Sequence, residues 1–351
     1  MMIVPLLALL ATFVGDSATR VREGSSPQIA IDPRGTIRMV FGRRDTIFAV
    51  TSRNGGESFG SAVVVGVVPK MHLGNTRGPT IASSNTRSVV IAPDQGGDIA
   101  MFQLEHATDS WTRLRGVLND APGSAPEGLA TVAADSRGEF HALWLDLRQQ
   151  RQNQIYLGTV PVAGATRRAN RLVYASPDGH VCECCRPSIA IAGRAVAVMF
   201  RNWLAGSRDM YALQSADGGR TFASAQKLGE GTWKLDACPM DGGSVAVTAQ
   251  GVLTSLWRRE SSVYFAEAGR AEVRVGEGRS PMMSRRGSAT HIVWQDGAAV
   301  KLRRMGNTDE PVVVGEGRLP QVLTLATGGA LVAWEHGGSV YFRRLSGLML
   351  H

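Results

Sequence analysis

Apolar and polar residues in this chain come in short bursts rather than at helical spacing. The stretch "RSVVIAPDQGGDIAMFQ" (87–103) runs apolar, breaks on Pro, Asp, Gln and two glycines, and runs apolar again. "FHALWLDLRQQRQNQIYLGTV" (140–160) and "ALVAWEHGGSVYFRRL" (330–345) have the same shape. Short runs rich in Val, Ile, Ala, Phe and Trp, bounded by Gly, Asp, Asn and Pro, predict β-strands joined by tight turns. Capped helix-period segments are hard to find, so the chain reads as all-β.

The unit recurs. A Pro or Gly lead-in, an apolar strand, a Gly turn and a longer strand ending in aromatic and charged residues can be traced seven times. The copies start near Pro27, Pro79, Leu129, Pro187, Gly243, Pro281 and Pro320. Intervals of roughly 40 to 60 residues fall within reach of β-propeller periods. Radial repetition protects the sheet edges. The expected fold is a β-propeller of seven blades, with six as the alternative; a β-sandwich would not predict the repeat. The last copy lacks an outer strand, and Thr19–Arg22 are placed to supply it and close the ring. Trp144, Trp257, Trp294 and Trp334 share one late position in four copies and are expected to pack between blades.

The first residues, "MMIVPLLALLATFVGDSATR", carry an apolar run from Met2 to Val14. It is too short to span a bilayer and is similar to a secretory signal. Residues 1–18 are therefore expected to be a leader and 19–351 a single propeller domain, periplasmic or secreted; an N-terminal strand is the alternative. The leader holds no Cys for a lipid anchor, and no other segment is long enough to span a membrane. The formal charge of +8, mostly arginine, permits an acidic partner. No long basic run or aromatic-basic interleaving points to nucleic acid, and nothing calls for an organic cofactor.

Two turns sharpen the fold. "SRNGGESF" (Ser52, Asn54, Gly56, Phe59) and "SADGGRTF" (Ser215, Asp217, Gly219, Phe222) share the pattern Ser-x-Asp/Asn-x-Gly-x-Ser/Thr-Phe. A short polar side chain caps local N–H groups and Gly accepts positive φ, which suits a tight hairpin. The pattern resembles the Asp box, or BNR repeat, of sialidase-like propellers. The resemblance implies that these turns are structural and lie away from the active site.

With strands lettered A to D outward from the axis, the D-to-A and B-to-C connections share one face, where propellers usually bind ligands. That face is expected to carry Arg77, Arg148, Arg186, Arg201, Arg208 and Arg258, with Asp146, Asp209 and Glu260 as candidate acids. Arginine suits bidentate capture of carboxylate or phosphate; structural salt bridges between blades explain the same residues. Sialidases add an arginine triad, an acid and a Tyr–Glu pair. This chain lacks the Phe/Leu-Arg-Ile-Pro motif expected at the start of a sialidase, and Tyr264 and Tyr341 read as strand residues. Trp203 and Trp233 fall on loops of the same face.

All four cysteines lie in two stretches. Cys182, Cys184 and Cys185 fall in "DGHVCECCRP", and Cys238 in "LDACPM". Cys185 and Cys238 each precede the inner strand of neighbouring blades, so all four are expected to cluster. An even count in an exported chain suits two disulfides. Thiolates with His180, Met240 and, farther off, His72 and Met71 would instead suit Cu or Zn. A redox-active thiol beside Arg186 is a third possibility. The expected function is binding of an anionic ligand or a soft metal at this mouth. The alternatives are an exo-sialidase-type glycoside hydrolase acting on acidic sugars, and a non-catalytic scaffold for a protein partner.

Overall fold

The computed structural model describes residues 17–148, 152–161 and 168–347. Seven four-stranded antiparallel sheets follow one another along the chain. Six are contiguous, spanning residues 25–67, 80–113, 130–174, 188–227, 244–277 and 279–316. The seventh takes three strands from residues 318–345 and its outermost from Thr19–Glu23. Thr19 lies opposite Phe342 and Glu23 opposite Ser339, so the start of the described chain is hydrogen-bonded to its end. The inner strands of successive blades touch around the axis, the last against the first. The protein is an all-β, seven-bladed propeller with no α-helix among the described residues.

Burial explains the apolar runs. The second strand of each blade is sandwiched between neighbouring blades; Phe140–Asp146 and Ala195–Arg201 are buried along their whole length. A strand covered on both faces reads as a continuous apolar run rather than an alternation. The four tryptophans stitch these interfaces. Trp294 donates its indole N–H to the Glu277 carbonyl at 2.9 Å, and Trp334 donates to the Glu316 carbonyl at 2.8 Å, each reaching the preceding blade's outer strand. A Cβ on Gly315 would come within 2.6 Å of the Trp334 ring, so this outer-strand position has to be bare.

The two sequence-matched turns share one hydrogen-bond pattern. Ser215 Oγ donates to Asp217 Oδ1 at 2.7 Å and accepts from Gly219 N at 2.9 Å; Thr221 N donates back to Asp217 at 3.0 Å. Ser52 Oγ donates to Asn54 Oδ1 at 2.8 Å, and Gly56 N donates to Ser52 Oγ at 2.9 Å. Phe59 closes the first turn by packing edge-on against Phe342; Phe222 packs against the core between blades three and four. Both turns follow third strands, on the face opposite the cysteines. Hydrogen bonds from Thr221 hold the Asp217 carboxyl well below the usual carboxylate range.

One buried titratable group makes stability pH-dependent. His291 Nδ1 meets Thr324 Oγ1 at 3.0 Å, and Thr324 Oγ1 itself donates to the Ser284 carbonyl at 2.7 Å. Nδ1 is therefore the donor, and Nε2 is a buried bare nitrogen without a partner. Burial, with Arg304 adding to it, pushes the imidazole down to about 4. A depressed histidine contributes stability above its unfolded value of about 6.5 and loses it as pH falls towards 4, at up to about 1.4 kcal/mol per pH unit. Between pH 7 and 5, wild-type urea midpoints are expected to fall further than those of His291→Gln, which keeps a donor but does not titrate. Equal falls would show that His291 does not govern this window.

Candidate functional site

The connection from the third blade to the fourth crosses the face that carries the D-to-A and B-to-C loops. It is pinned twice: Val181 N donates to the Asn153 carbonyl at 2.9 Å, and Cys182 N to the Arg201 carbonyl at 3.0 Å. A turn then folds the C-x-C-C segment so that three sulfurs converge. Cys182, Cys184 and Cys185 are buried. Their Sγ–Sγ separations are 3.6, 3.5 and 3.9 Å. No pair is joined, since a disulfide would need about 2.05 Å. Met240 packs against the three.

The cluster is electrostatically polarised. Arg208 Nη1 donates to Cys182 Sγ at 2.9 Å. The two neighbouring thiols hydrogen-bond to Cys182, and with Arg201 and Arg208 they outweigh burial and hold it well below the ordinary thiol range. The same hydrogen bonds, with burial, push Cys184 up. Burial pushes Cys185 up to about 11. The cluster therefore favours deprotonation at Cys182 over Cys184 and Cys185. Arg208 is held in turn by Trp203, whose ring lies 4.4 Å from the guanidinium carbon, and by Glu183 at 3.5 Å. Three soft donors within one coordination radius can hold a metal ion.

The expected fourth sulfur is not there. Cys238 is exposed and lies outside the group. His180 is also outside it: its Nδ1 sits 2.9 Å from the Val181 carbonyl and its ring stacks on Trp203. His72 Nε2 is bound to the Pro126 carbonyl at 2.9 Å.

Most of the arginines and acids are already engaged. Arg148 grips Asp146 through Nε at 2.9 Å and Nη2 at 2.8 Å, and also bonds to Asp120. Arg77 donates to the Glu127 carbonyl at 2.6 Å. Arg201 is buried and donates to the carbonyls of Arg208 at 2.6 Å and Arg258 at 2.9 Å. Arg258 Nε donates to the carbonyl of Glu260, an exposed residue, at 2.6 Å, and Nη1 lies 3.4 Å from Asp241. The Trp233 ring lies 5.2 Å from the Arg201 guanidinium carbon and 5.3 Å from that of Arg258. Asp209 accepts from Trp233 N at 2.7 Å and pairs with Lys227.

Arg186 differs from the other five ligand-face arginines. Among the described residues it has no hydrogen bond or ion pair, and burial pulls its guanidinium down to about 10. It lines an axial cavity of about 30 Å³ together with Asp241, Ser280 and Gln321. Asp241 accepts from Ser280 N at 2.9 Å, and burial pushes its carboxyl up to about 6 against that bond and against Arg201 and Arg258. Sequence reasoning did not single out the glutamines and serines of this ring. Their signal was position alone, within two residues of the repeated lead-in proline.

No protein-family model matches the chain, and no curated protein does either. Solved structures do. An ulvan lyase, described as a new family of polysaccharide lyase, aligns with a TM-score of 0.62 at 9% identity, covering 94% of this chain and 96% of its own. A Hadza microbial sialidase aligns at 0.54 and 10% identity over 95% of this chain and 69% of its own. Virginiamycin B lyase from Staphylococcus aureus aligns at 0.54 and 10% identity over 95% and 96%. At such identities the likeness is one of fold. No helix among the described residues is long and apolar enough to cross a membrane.

Proposed function

We propose that this propeller binds one soft metal ion, copper(I) in preference to zinc, through Cys182, Cys184 and Cys185. The convergence of three buried sulfurs carries the reading. Separations of 3.5 to 3.9 Å fit three corners of a tetrahedral shell of radius about 2.2 Å, beside a Zn–S bond of about 2.3 Å. Thiolate and thioether donors select copper(I), and Met240 supplies the thioether beside the cluster. Zinc would take a further nitrogen or thiolate, and neither His180 nor Cys238 joins the group. Arg208 offsets part of the negative charge that three thiolates bring.

Binding at the mouth also agrees with the fold neighbours, whose names include a sialidase and two lyases. A hydrolytic role finds less support, because Asp146 is sealed among Ser124, Trp144 and Arg148. Export belongs to this proposal. The leader expectation rests on residues 1–18, of which 1–16 lie outside the described residues, and the closing strand starts at Thr19.

The test is metal titration of the reduced chain, with competition by a copper(I) chelator and with Co(II) as a spectroscopic stand-in for zinc. One copper(I) per chain, held more tightly than Co(II), is the expected result. A purified chain whose thiols are all oxidised to disulfides, or which takes up neither ion, would sink the proposal.

A further inference from the structure

The axial cavity has a different chemistry from the thiols. The lead-in segments of several blades meet there, contributing Gln28, Thr76, Arg186, Asp241, Ser280 and Gln321. Its volume of about 30 Å³ holds two or so waters, or one small oxyanion. Buried polar groups in folded proteins almost always have partners. Here Asp241 Oδ1 and Thr76 Oγ1 are buried without one. The side chains of Gln28, Arg186, Ser280 and Gln321 make no hydrogen bond to the described residues, although Gln321 is only 7% exposed.

The backbone around the cavity is strained as well. Ser26, Ser280 and Leu319 each precede a proline in the left-handed region, with φ of 55°, 53° and 51°. Such a conformation is costly for a leucine and persists only where the surroundings impose it. It aims Ser26 N at Glu335 and Ser280 N at Asp241, at 2.7 and 2.9 Å.

We propose that this cavity binds a small oxyanion that also carries a hydroxyl, such as hydrogenphosphate or a hydroxycarboxylate. The Arg186 guanidinium takes the anionic oxygens, and Ser280, Thr76 and the two glutamine amides supply further donors. Asp241 Oδ1 accepts the ligand's hydroxyl proton, while Asp241's own charge is met by Arg258. This site needs no metal at the thiols, so it stands or falls separately from the metal reading.

The experiment is calorimetric titration of the full reduced, metal-free chain at constant ionic strength. The paired probes are inorganic phosphate against sulfate and glycolate against acetate. Phosphate or glycolate is expected to bind one per chain, at least about tenfold tighter than its partner lacking the hydroxyl. Whichever of the two binds tighter identifies the source of the oxyanion. Arg186→Gln is expected to weaken binding by roughly ten- to a hundredfold, the equilibrium worth of one charge-assisted hydrogen bond. Should Arg186→Gln fail to fold, Gln321→Ala and Ser280→Ala provide the same test, each weakening phosphate or glycolate severalfold. No saturable binding by wild type, or phosphate and sulfate bound alike and indifferent to these variants, would overturn the proposal.

Discussion

Cys182→Ser is expected to lose tight metal binding while keeping the propeller intact. Cys182 is the sulfur that both neighbours and Arg208 already polarise, and a serine hydroxyl is a poor donor to a soft ion. Copper(I) affinity should fall by at least about a hundredfold, beyond what losing an outer-shell partner costs. Cys238→Ser, at an exposed position outside the group, should bind as wild type does. Wild-type affinity in Cys182→Ser, or a matching loss in Cys238→Ser, would mean that the three buried sulfurs are not the ligand set. The ligands are thiolates and the fold favours the neutral form of Cys184 and Cys185, so loading should release protons and strengthen as pH rises. Chelator competition at two pH values measures both.

The largest loss of stability is expected at Asp146. Its carboxylate is fully buried and accepts from Ser124 Oγ at 2.7 Å, Trp144 Nε1 at 2.8 Å and twice from the Arg148 side chain. Arg148 also lies 4.3 Å from the Tyr156 ring, with little access to water. Asp146→Ala leaves a guanidinium and an indole N–H short of an acceptor. Removing one partner of a buried pair costs roughly 3–5 kcal/mol, which should appear as a lowered urea midpoint. Asp146→Asn, which keeps one oxygen acceptor, should lose less. Metal uptake by folded Asp146→Ala should be unchanged. An alanine variant within about 0.5 kcal/mol of wild type, the scatter of ordinary surface changes, would refute the structural account and return Asp146 to the list of candidate acids.

The cysteines show how far position in a repeat can be read. Cys185 and Cys238 both precede inner strands, which suggested equivalent places. Cys185 lies three residues before its strand at Ser188, but Cys238 lies six before Ser244. The extra residues include Asp241 and Gly242. A Cβ on Gly242 would meet the Arg186 carbonyl at 2.4 Å, so that stretch of backbone already fills the space beside the cluster. Met240 therefore abuts the thiols, and Cys238 stays exposed. The arginines carry a similar lesson. The D-to-A and B-to-C connections place them on one face, but whether each is paired depends on partners far along the chain. Arg77 meets Glu127, and Arg318 meets Glu335 at 2.5 Å, whereas Arg186 meets no described acid.

What the sequence determined by itself is the repeat, the all-β class, the turns and the face on which the cysteines lie. These follow from local rules: burial on both sides makes a strand uniformly apolar, and tight turns demand Gly, Asp and Asn. Three things were decided only by the tertiary structure: which sulfurs converge, which carboxylate satisfies which arginine, and which axial groups remain unsatisfied. Each depends on ångström-scale offsets between blades far apart in sequence, and a pattern of residue types does not encode those distances.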